Sequence, residues 1–334
     1  MIPMIKPIEE VNKNNFLKAW FSHQSENVVI THNNCEDGRG TAVVCHTTRL
    51  KNGVINDKES TFTDMEFIFT DYGEYDIDAI VAQVKGKVVY VGDFSFLDED
   101  YLAIKDSALE VVMVDHHYKP MLNSVSDLPN THFDNTKSGA LLTWEFFYGE
   151  NIEPPLAIKL ISDRDLYKFK YGDKSRAFHL FLKSKDKNDF RVLLPMVISC
   201  DADALTNKSV DMFIDEVIIS ENKYRDKGAL AVPYNINGYD FVGLNLTSSV
   251  SDVLNKAGQQ FGLPAMAWWV IDEYIYFSLR NSNEEGVDNG TSVNVSDLAG
   301  VFGGGGHPQA AGFKILLKDL DLEEFFTHNT LNKK

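Results

Sequence analysis

Four short stretches of this sequence combine carboxylate and imidazole side chains, which bind divalent cations and transfer protons. Three of them directly follow short β-branched runs: HNNCEDG (32–38), DFS (93–95) and DHH (115–117). The fourth, DRD (163–165), lies in a helical pattern. Carboxylates with imidazoles and little sulfur suit Mn²⁺ or a similar cation better than a structural zinc ion. Two such ions about 3.5–4 Å apart can activate a hydroxide and stabilise charge on phosphoryl oxygens, as phosphoester hydrolysis requires.

Each stretch by itself has a simpler structural interpretation. An aspartate after a strand commonly caps a turn or a helix, and a lone histidine such as His32 is more often a hydrogen-bonded polar residue than a ligand. The combination is what favours chemistry, because parallel strands end at one edge of their sheet and ligands bind there. Acidic or imidazole residues after three of the strands are therefore predicted to lie together.

A second unusual string is VFGGGGHPQAAG (301–312). Glycines let the backbone approach a ligand closely and present its N–H groups to anionic oxygens, which predicts a phosphate cradle. Ala310 and Ala311 are predicted to begin a helix whose N-terminus also favours anions. A flexible linker is the structural alternative, although linkers rarely combine glycines with histidine. Arg280, at the end of YIYFSLR, is either an ordinary surface arginine or a bidentate partner for a phosphate.

Short apolar runs alternate with helical patterns in the first half of the chain. The runs at 26–32, 65–70, 87–92 and 110–115 are predicted to be buried strands. This alternation predicts a mostly parallel sheet with helices on both faces. A polar helical stretch and a second strand-rich unit follow. We therefore predict an α/β protein with an N-terminal domain over 1–170, a helical connector over 171–228, and a smaller C-terminal α/β domain over 229–334.

The composition excludes several classes of protein. Of 334 residues, 44% are hydrophobic and 24% charged, which is typical of packed domains rather than disordered or fibrous chains. A net charge of −17, without a basic run, argues against long duplex DNA as a partner. No apolar run reaches the roughly 18–20 residues that span a bilayer, and the first residues lack a signal-peptide pattern. With three cysteines and no disulfide framework, we expect a cytoplasmic protein without membrane contact.

These motifs, in this order, resemble the DHH phosphoesterase superfamily, specifically its members with the DHH-associated C-terminal domain. THNNCEDGRGTA, VGDFS, VDHH and SDRDLYKF are similar to that family's four motifs, and SLRN with VNVSDLAGVFGGGGHPQAAGF is similar to its C-terminal signature. The resemblance extends from His32 to Gly312. The branch of oligoribonucleases (nano-RNases) and cyclic-nucleotide phosphodiesterases is more similar than RecJ-type exonucleases. Family II pyrophosphatases share the first domain but not the glycine–histidine ending.

The resemblance implies a site with two Mn²⁺ ions, bridged by Asp93. The implied metal ligands are His32, Cys35, Asp37, Asp93, His116 and Asp163. Asp115 would orient a neighbouring histidine, and His117 would lie near the scissile phosphate. The implied substrate-binding groups are Arg280, the backbone of Gly304 and Gly305, and His307. Cys35 departs from the family, many of whose members have an aspartate there. Because a thiolate is a softer ligand, the identity and occupancy of the second metal stay open.

The sequence thus predicts a Mn²⁺-dependent phosphodiesterase that hydrolyses short oligoribonucleotides to 5′-mononucleotides. Hydrolysis of a cyclic mono- or dinucleotide is the alternative among enzymes, since its chemistry would be identical. A nucleotide-sequestering module is the non-enzymatic alternative, motivated by Cys35 and opposed by the presence together of Asp37, Asp93, His116 and Asp163. The oligomeric state is open, with a homodimer as one alternative.

Overall fold

The structure, a computed structural model, describes residues 10–22, 24–49, 65–117, 130–186, 189–281 and 293–332. These residues form two compact units, one ending at Val217 and the other beginning at Ile218. Within the described ranges, no helix combines the length and the apolar character needed to cross a bilayer.

A parallel sheet forms the centre of the first unit. Among the described residues its strands are β1 (Asn27–His32), β2 (Met65–Thr70), β3 (Val88–Gly92), β4 (Glu110–Asp115) and β5 (Thr131–Phe133). They lie in the order β2-β1-β3-β4-β5, and every neighbouring pair is parallel. The four apolar runs predicted as strands are confirmed. The short β5 escapes prediction because three residues carry too little periodic signal.

Helices cover both faces of this sheet, which explains why its strands are apolar throughout instead of alternating. The helices are α1 (Glu10–Trp20), α2 (Glu36–Thr47), α3 (Ile77–Gln83), α4 (Asp98–Ser107), α5 (Gly139–Tyr148) and α6 (Leu156–Asp165). One face packs against Ile80 of α3 and Ile104 of α4. The other face packs against α1, α2 and α5 through Phe16, Cys45 and Leu142.

Further helices follow without a strand, as the sequence predicts: α7 (Asp173–Lys183), α8 (Leu194–Ile198), α9 (Ala202–Asp211) and α10 (Ile214–Gly228). Phe178 and Phe181 of α7 share one apolar core with Ile158 and Ile161 of α6. The helices α7 to α9 therefore belong to the first unit, whereas the sequence assigns them to a connector over 171–228. Of the described helices, only α10 continues from the first unit into the second.

The second unit is built on a mixed sheet. Its described strands are β6 (Val232–Ile236), β7 (Tyr239–Asn245), β8 (Ala265–Ile271), β9 (Tyr274–Arg280), β10 (Gly305–His307), β11 (Ala310–Leu316) and β12 (Thr330–Leu331), in the order β10-β11-β9-β8-β7-β6-β12. Its helices are α11 (Val250–Phe261), α12 (Val295–Val301) and α13 (Leu322–His328). Leu254 of α11 packs on Ala265 and Ala267 on one face, while α12 and α13 pack on the other face through Leu298 and Phe325.

The predicted helix at Ala310 and Ala311 is wrong, because these residues begin strand β11. Ala310 pairs with Arg280 of β9 on one side and with His307 of β10 on the other. The helical propensity of two alanines is smaller than the gain from pairing a whole strand whose next residues are apolar and aromatic. A helix N-terminus therefore does not contribute an anion site here.

Candidate metal centre

The carboxyl ends of β1, β3 and β4 lie side by side, because β3 pairs with both of the other strands. His32 ends β1, Asp115 ends β4, and Asp93 directly follows β3. Asp93 has a left-handed backbone with φ 56°, while its N–H donates to Val114 O at 3.1 Å. A non-glycine residue in this region is strained, and such strain is concentrated at functional sites. The sheet thus brings three of the sequence motifs to one edge.

His116 lies at the centre of a group of three carboxylates. Its Nε2 is 3.1 Å from Asp93 Oδ1, 3.5 Å from Asp37 Oδ2 and 3.6 Å from Asp165 Oδ2. The His116, Asp37 and Asp93 side chains are at most 1% exposed, and that of Asp165 is 25% exposed. Because water is nearly excluded, the charges of these groups interact strongly.

The pKa shifts in this group show that its carboxylates repel one another. Burial and the nearby Asp37 carboxylate raise the pKa of Asp93 well above its usual range, and burial with Asp37 raises the pKa of Asp165 to about 7. Burial alone would lower the pKa of His116, but Asp165, Asp93 and Asp37 outweigh it and raise the pKa to about 10. A divalent cation would relieve the same repulsion more completely than one imidazolium.

Asp37 is held in place by the first turn of α5. Its Oδ2 accepts the Gly139 N–H at 2.6 Å and its Oδ1 accepts the Ala140 N–H at 3.1 Å. These bonds leave lone pairs on both oxygens for a metal. Gly139 also permits the close packing of α5 on Asp93, since an added Cβ would lie 2.4 Å from Asp93 Cβ.

A second group of donors consists of His32, Cys35 and Asp93, whose ligand atoms all lie within 4.8 Å of one another. His32 Nε2 is 3.3 Å from Asp71 Oδ1, and Asn33 Nδ2 donates to the other Asp71 oxygen at 2.9 Å. Asp71 thus orients the His32 ring, as carboxylates commonly do for metal-binding histidines. Sequence reasoning missed Asp71, whose signal is its place directly after β2.

Asp115 orients His117. Asp115 Oδ1 accepts His117 Nδ1–H at 2.7 Å, and its Oδ2 accepts a hydrogen bond from the Ser95 hydroxyl. Burial alone would raise the pKa of Asp115, but His117 and these hydrogen bonds hold it well below its usual range. Asp115 is therefore an ionised carboxylate that keeps the His117 proton on Nδ1.

Asp163 is not brought into the cluster, which corrects its prediction as a metal ligand. Its carboxylate accepts the N–H groups of Lys170 at 2.7 Å and Tyr171 at 3.1 Å, and the Ser175 hydroxyl at 2.5 Å. It therefore fixes the turn from α6 to α7. The carboxylate in the cluster is that of Asp165. The two residues lie about 200° apart around the helix, so only one of them can face His116.

In the second unit, Arg280 and His307 flank the small residue Ala310 in one row across β9, β11 and β10. Residues paired in antiparallel register point to one face of the sheet, so the Arg280 guanidinium and the His307 imidazole share that face. Arg280 Nη2 donates to Ser251 Oγ at 2.5 Å.

The backbone of Gly304, predicted to bind a phosphate, is engaged within the protein instead. Its N–H donates to Ala299 O at 2.9 Å, and an added Cβ would lie 2.1 Å from Gly312 O. The glycine there is required by packing, whereas a Cβ on Gly305 would meet no described atom within 4 Å.

The donor set in the first unit fits divalent cations. Asp37, His116 and Asp165 offer donor atoms within 4.8 Å of one another, and so do His32, Cys35 and Asp93. Asp93 Oδ2 is buried and has no hydrogen-bond partner among the described residues. Because a buried carboxylate oxygen without a partner is costly, a cation at this position is the chemically consistent ligand.

Comparison with known proteins supports the architecture. No family model matches the chain. A protein of Acanthamoeba polyphaga mimivirus, which is described as uncharacterized, is 25% identical over 311 residues, covering 87% of this chain and 68% of that protein.

Two solved structures are similar in fold. A DHH domain from a member of a family of ribosomal proteins has a TM-score of 0.61 at 16% identity, over 98% of this chain and 94% of that one. RecJ of Thermus thermophilus, in complex with Mn²⁺, has a TM-score of 0.52 at 12% identity, over 98% of this chain and 54% of that one. This chain has the DHH-domain fold. At such identities the likeness concerns the fold, and the chemistry rests on the site itself.

Proposed function

We propose that this DHH-fold chain is a divalent-metal-dependent phosphodiesterase. The observation that carries the proposal is the meeting of Asp37, Asp93, Asp165 and His116 in one water-poor cluster at the ends of parallel strands. An uncompensated group of this kind would destabilise the fold unless it bound cations. A binuclear centre of carboxylates and imidazoles is suited to phosphoryl chemistry.

Manganese is the proposed ion for the oxygen-rich part of the centre. Carboxylate and imidazole donors suit Mn²⁺, and RecJ of Thermus thermophilus, which shares the fold, has been solved with Mn²⁺. Asp165 replaces Asp163 in the proposed ligand set, which otherwise comprises His32, Cys35, Asp37, Asp93 and His116.

The mechanism assigns separate tasks to the residues of this edge. When bound, two metal ions supply an activated water and neutralise charge on the phosphoryl oxygens. Asp93 belongs to the donor group of His32 and Cys35, and its Oδ1 lies 3.1 Å from His116 Nε2 of the other group, so it connects the two.

Burial lowers the pKa of His117 although Asp115 opposes this shift, and Asp115 orients the ring by accepting its Nδ1–H. His117 is the proposed proton-transfer group at the leaving oxygen of the diester, which it would protonate through Nε2 when the ring carries a second proton. Ser95 keeps Asp115 oriented for this task.

The proposed substrates are short oligoribonucleotides, cleaved to 5′-mononucleotides. A chain with a net charge of −17 repels a long phosphate polymer, but a short substrate needs positive charge only at its own contacts. The face of the second sheet that carries Arg280 and His307 is proposed to bind a phosphate. Between them, Ala310 leaves room for a phosphate or a sugar to approach the sheet.

The test is product analysis in Mn²⁺ with an RNA dinucleotide, a longer RNA, a cyclic mononucleotide and a cyclic dinucleotide. We expect the dinucleotide to yield mononucleotides fastest and Asp93→Asn to lose at least about 10³-fold in turnover. Asp211→Asn, the same chemical change at an exposed residue of α9, is the matched control and should retain full turnover.

The outcomes separate the alternatives. If only the cyclic substrates are cleaved, the proposed substrate changes from short RNA to a signalling nucleotide, and the proposed reaction, phosphodiester hydrolysis, stands. Nucleotide binding without turnover of any of the four substrates would overturn the enzymatic proposal in favour of a sequestering module.

A further inference from the structure

The two donor groups at this edge differ in chemical character. Asp37, His116 and Asp165 offer only carboxylate oxygen and imidazole nitrogen, whereas the group of His32, Cys35 and Asp93 adds a sulfur. We call the latter group the thiol subsite. A thiolate binds zinc, cobalt(II) and iron(II) in preference to manganese or magnesium.

Cys35 occupies a position where a cysteine has little structural value. It is the N-cap residue of α2, where serine, aspartate or asparagine would accept a backbone hydrogen bond, and its side chain makes no capping bond. Its Sγ lies within 4.8 Å of a carboxylate oxygen of Asp93 and a ring nitrogen of His32. By contrast, Cys45 is fully buried among apolar side chains such as Val29 and Phe146, where a thiol behaves as a small hydrophobe.

The other two residues of the subsite, His32 and Asp93, each have one donor atom available to a metal. His32 Nδ1 and Asp93 Oδ2 are both buried, and neither has a hydrogen-bond partner within the part of the chain that the structure describes. Asp93 is 1% exposed, so water does not compensate its oxygen. Asp71 holds the opposite nitrogen of the His32 ring, which leaves the Nδ1 lone pair for a ligand. Three donors of different elements thus converge without bonding to one another.

We propose that the thiol subsite binds a thiophilic divalent cation of the zinc class, so that the centre holds two unlike metals. On binding, the Cys35 thiol gives up its proton to solvent and Sγ becomes a ligand beside His32 Nδ1 and Asp93 Oδ2. The cation at Asp37, His116 and Asp165 is then the one that manganese fills. This inference rests on the metal centre of the proposed function but not on its reaction.

The test is a spectroscopic titration of the metal-stripped full chain with Co²⁺, without substrate. We expect wild-type protein to develop a near-ultraviolet sulfur-to-cobalt charge-transfer band that saturates at one equivalent. Cys35→Asp should lose the band while still binding Co²⁺ through oxygen. Cys200→Ser removes an exposed thiol and is the matched control, which should keep the band.

A competition by equilibrium dialysis gives a second readout. We expect Cys35→Asp to lower the affinity for Zn²⁺ at least about 10–100-fold while leaving Mn²⁺ affinity within a few-fold. If Cys35→Asp does not fold, as judged by circular dichroism, Cys35→Ser makes the same comparison with a change of one atom.

Two results would overturn the proposal: no charge-transfer band in the wild-type protein, or a band and a Zn²⁺ affinity that survive replacement of Cys35. The outcome is separable from that of the proposed reaction. If the protein shows the band but cleaves no phosphodiester, the thiol-subsite proposal holds and the proposed enzymatic function fails. If it cleaves RNA but shows no band, the proposed function holds and the thiol-subsite proposal fails.

Discussion

Asp163 and Asp165 are two residues apart, but changing each to asparagine is expected to affect different properties of the protein. The first change should reduce stability, and the second should reduce metal binding. Asp163 accepts three hydrogen bonds that fix the turn between α6 and α7. Asp165 faces His116 and the other carboxylates. The same amide substitution at the two positions therefore separates a structural role from a metal-binding role.

The expected cost of Asp163→Asn follows from its hydrogen bonds. Bonds to a charged acceptor contribute about 1.5–3 kcal/mol each, and asparagine keeps only one of the two oxygens. Its NH₂ group would then face a backbone N–H or the Ser175 hydroxyl. We expect the free energy of unfolding to fall by about 2–4 kcal/mol, which lowers Tm by about 5–15 °C in a unit of this size. At temperatures where the Asp163→Asn variant is folded, its affinity for Mn²⁺ should stay within a few-fold of that of the wild type.

Asp165→Asn should weaken metal binding without reducing stability. Its carboxylate lies among like charges in the metal-free protein, and its pKa of about 7 shows that the folded state disfavours its charge. Removing that charge should therefore leave the free energy of unfolding unchanged or raise it. Mn²⁺ affinity should fall at least about 10–100-fold, and turnover with it.

Urea unfolding with a chelator present measures the first quantity, and Mn²⁺ titration calorimetry at room temperature measures the second. If Asp163→Asn lost metal binding at unchanged stability while Asp165→Asn bound Mn²⁺ normally, the assignment drawn from the structure would be refuted. The prediction from sequence, with Asp163 as the ligand, would then be restored.

Three further predictions test other parts of the structure. Gly139→Ala places a Cβ 2.4 Å from Asp93 Cβ and should cost about 1–3 kcal/mol by urea unfolding and weaken Mn²⁺ binding, whereas Gly300→Ala, with no described atom within 4 Å, should be neutral or stabilising. Burial lowers the pKa of His46 from 6.5 to about 4. The unfolded chain therefore takes up this proton first, and stability falls as pH drops below 6.5; between pH 7 and pH 5 the loss is about 2 kcal/mol. His46→Leu should remove that part of the pH dependence, and an unchanged slope in urea midpoints would contradict it. Arg280→Lys should raise KM about tenfold with kcat within a few-fold, since lysine cannot form a bidentate phosphate contact; a selective loss of kcat in steady-state assays would disprove this role.

Much of the fold was accessible from the sequence because its signals are local. Buried parallel strands read as short β-branched runs, and the sheet edge that collects His32, Asp93 and Asp115 follows from strand direction alone. The error at Ala310 has the opposite origin. Local propensity favoured a helix there, and pairing with Arg280 in a strand far earlier in the chain decided otherwise.

The order of residue types along the chain determined the α/β class and the motifs that meet at the sheet edge, because both depend on strand periodicity and direction. Tertiary structure alone decided which of two neighbouring aspartates faces His116, since helix rotation depends on packing rather than on residue type. It also revealed Asp71 behind His32, because the contact joins the ends of two strands that the sequence separates by a helix. Gly304 gives the same lesson: the sequence showed that glycine is unusual there, and only the approach of Gly312 showed that packing requires it.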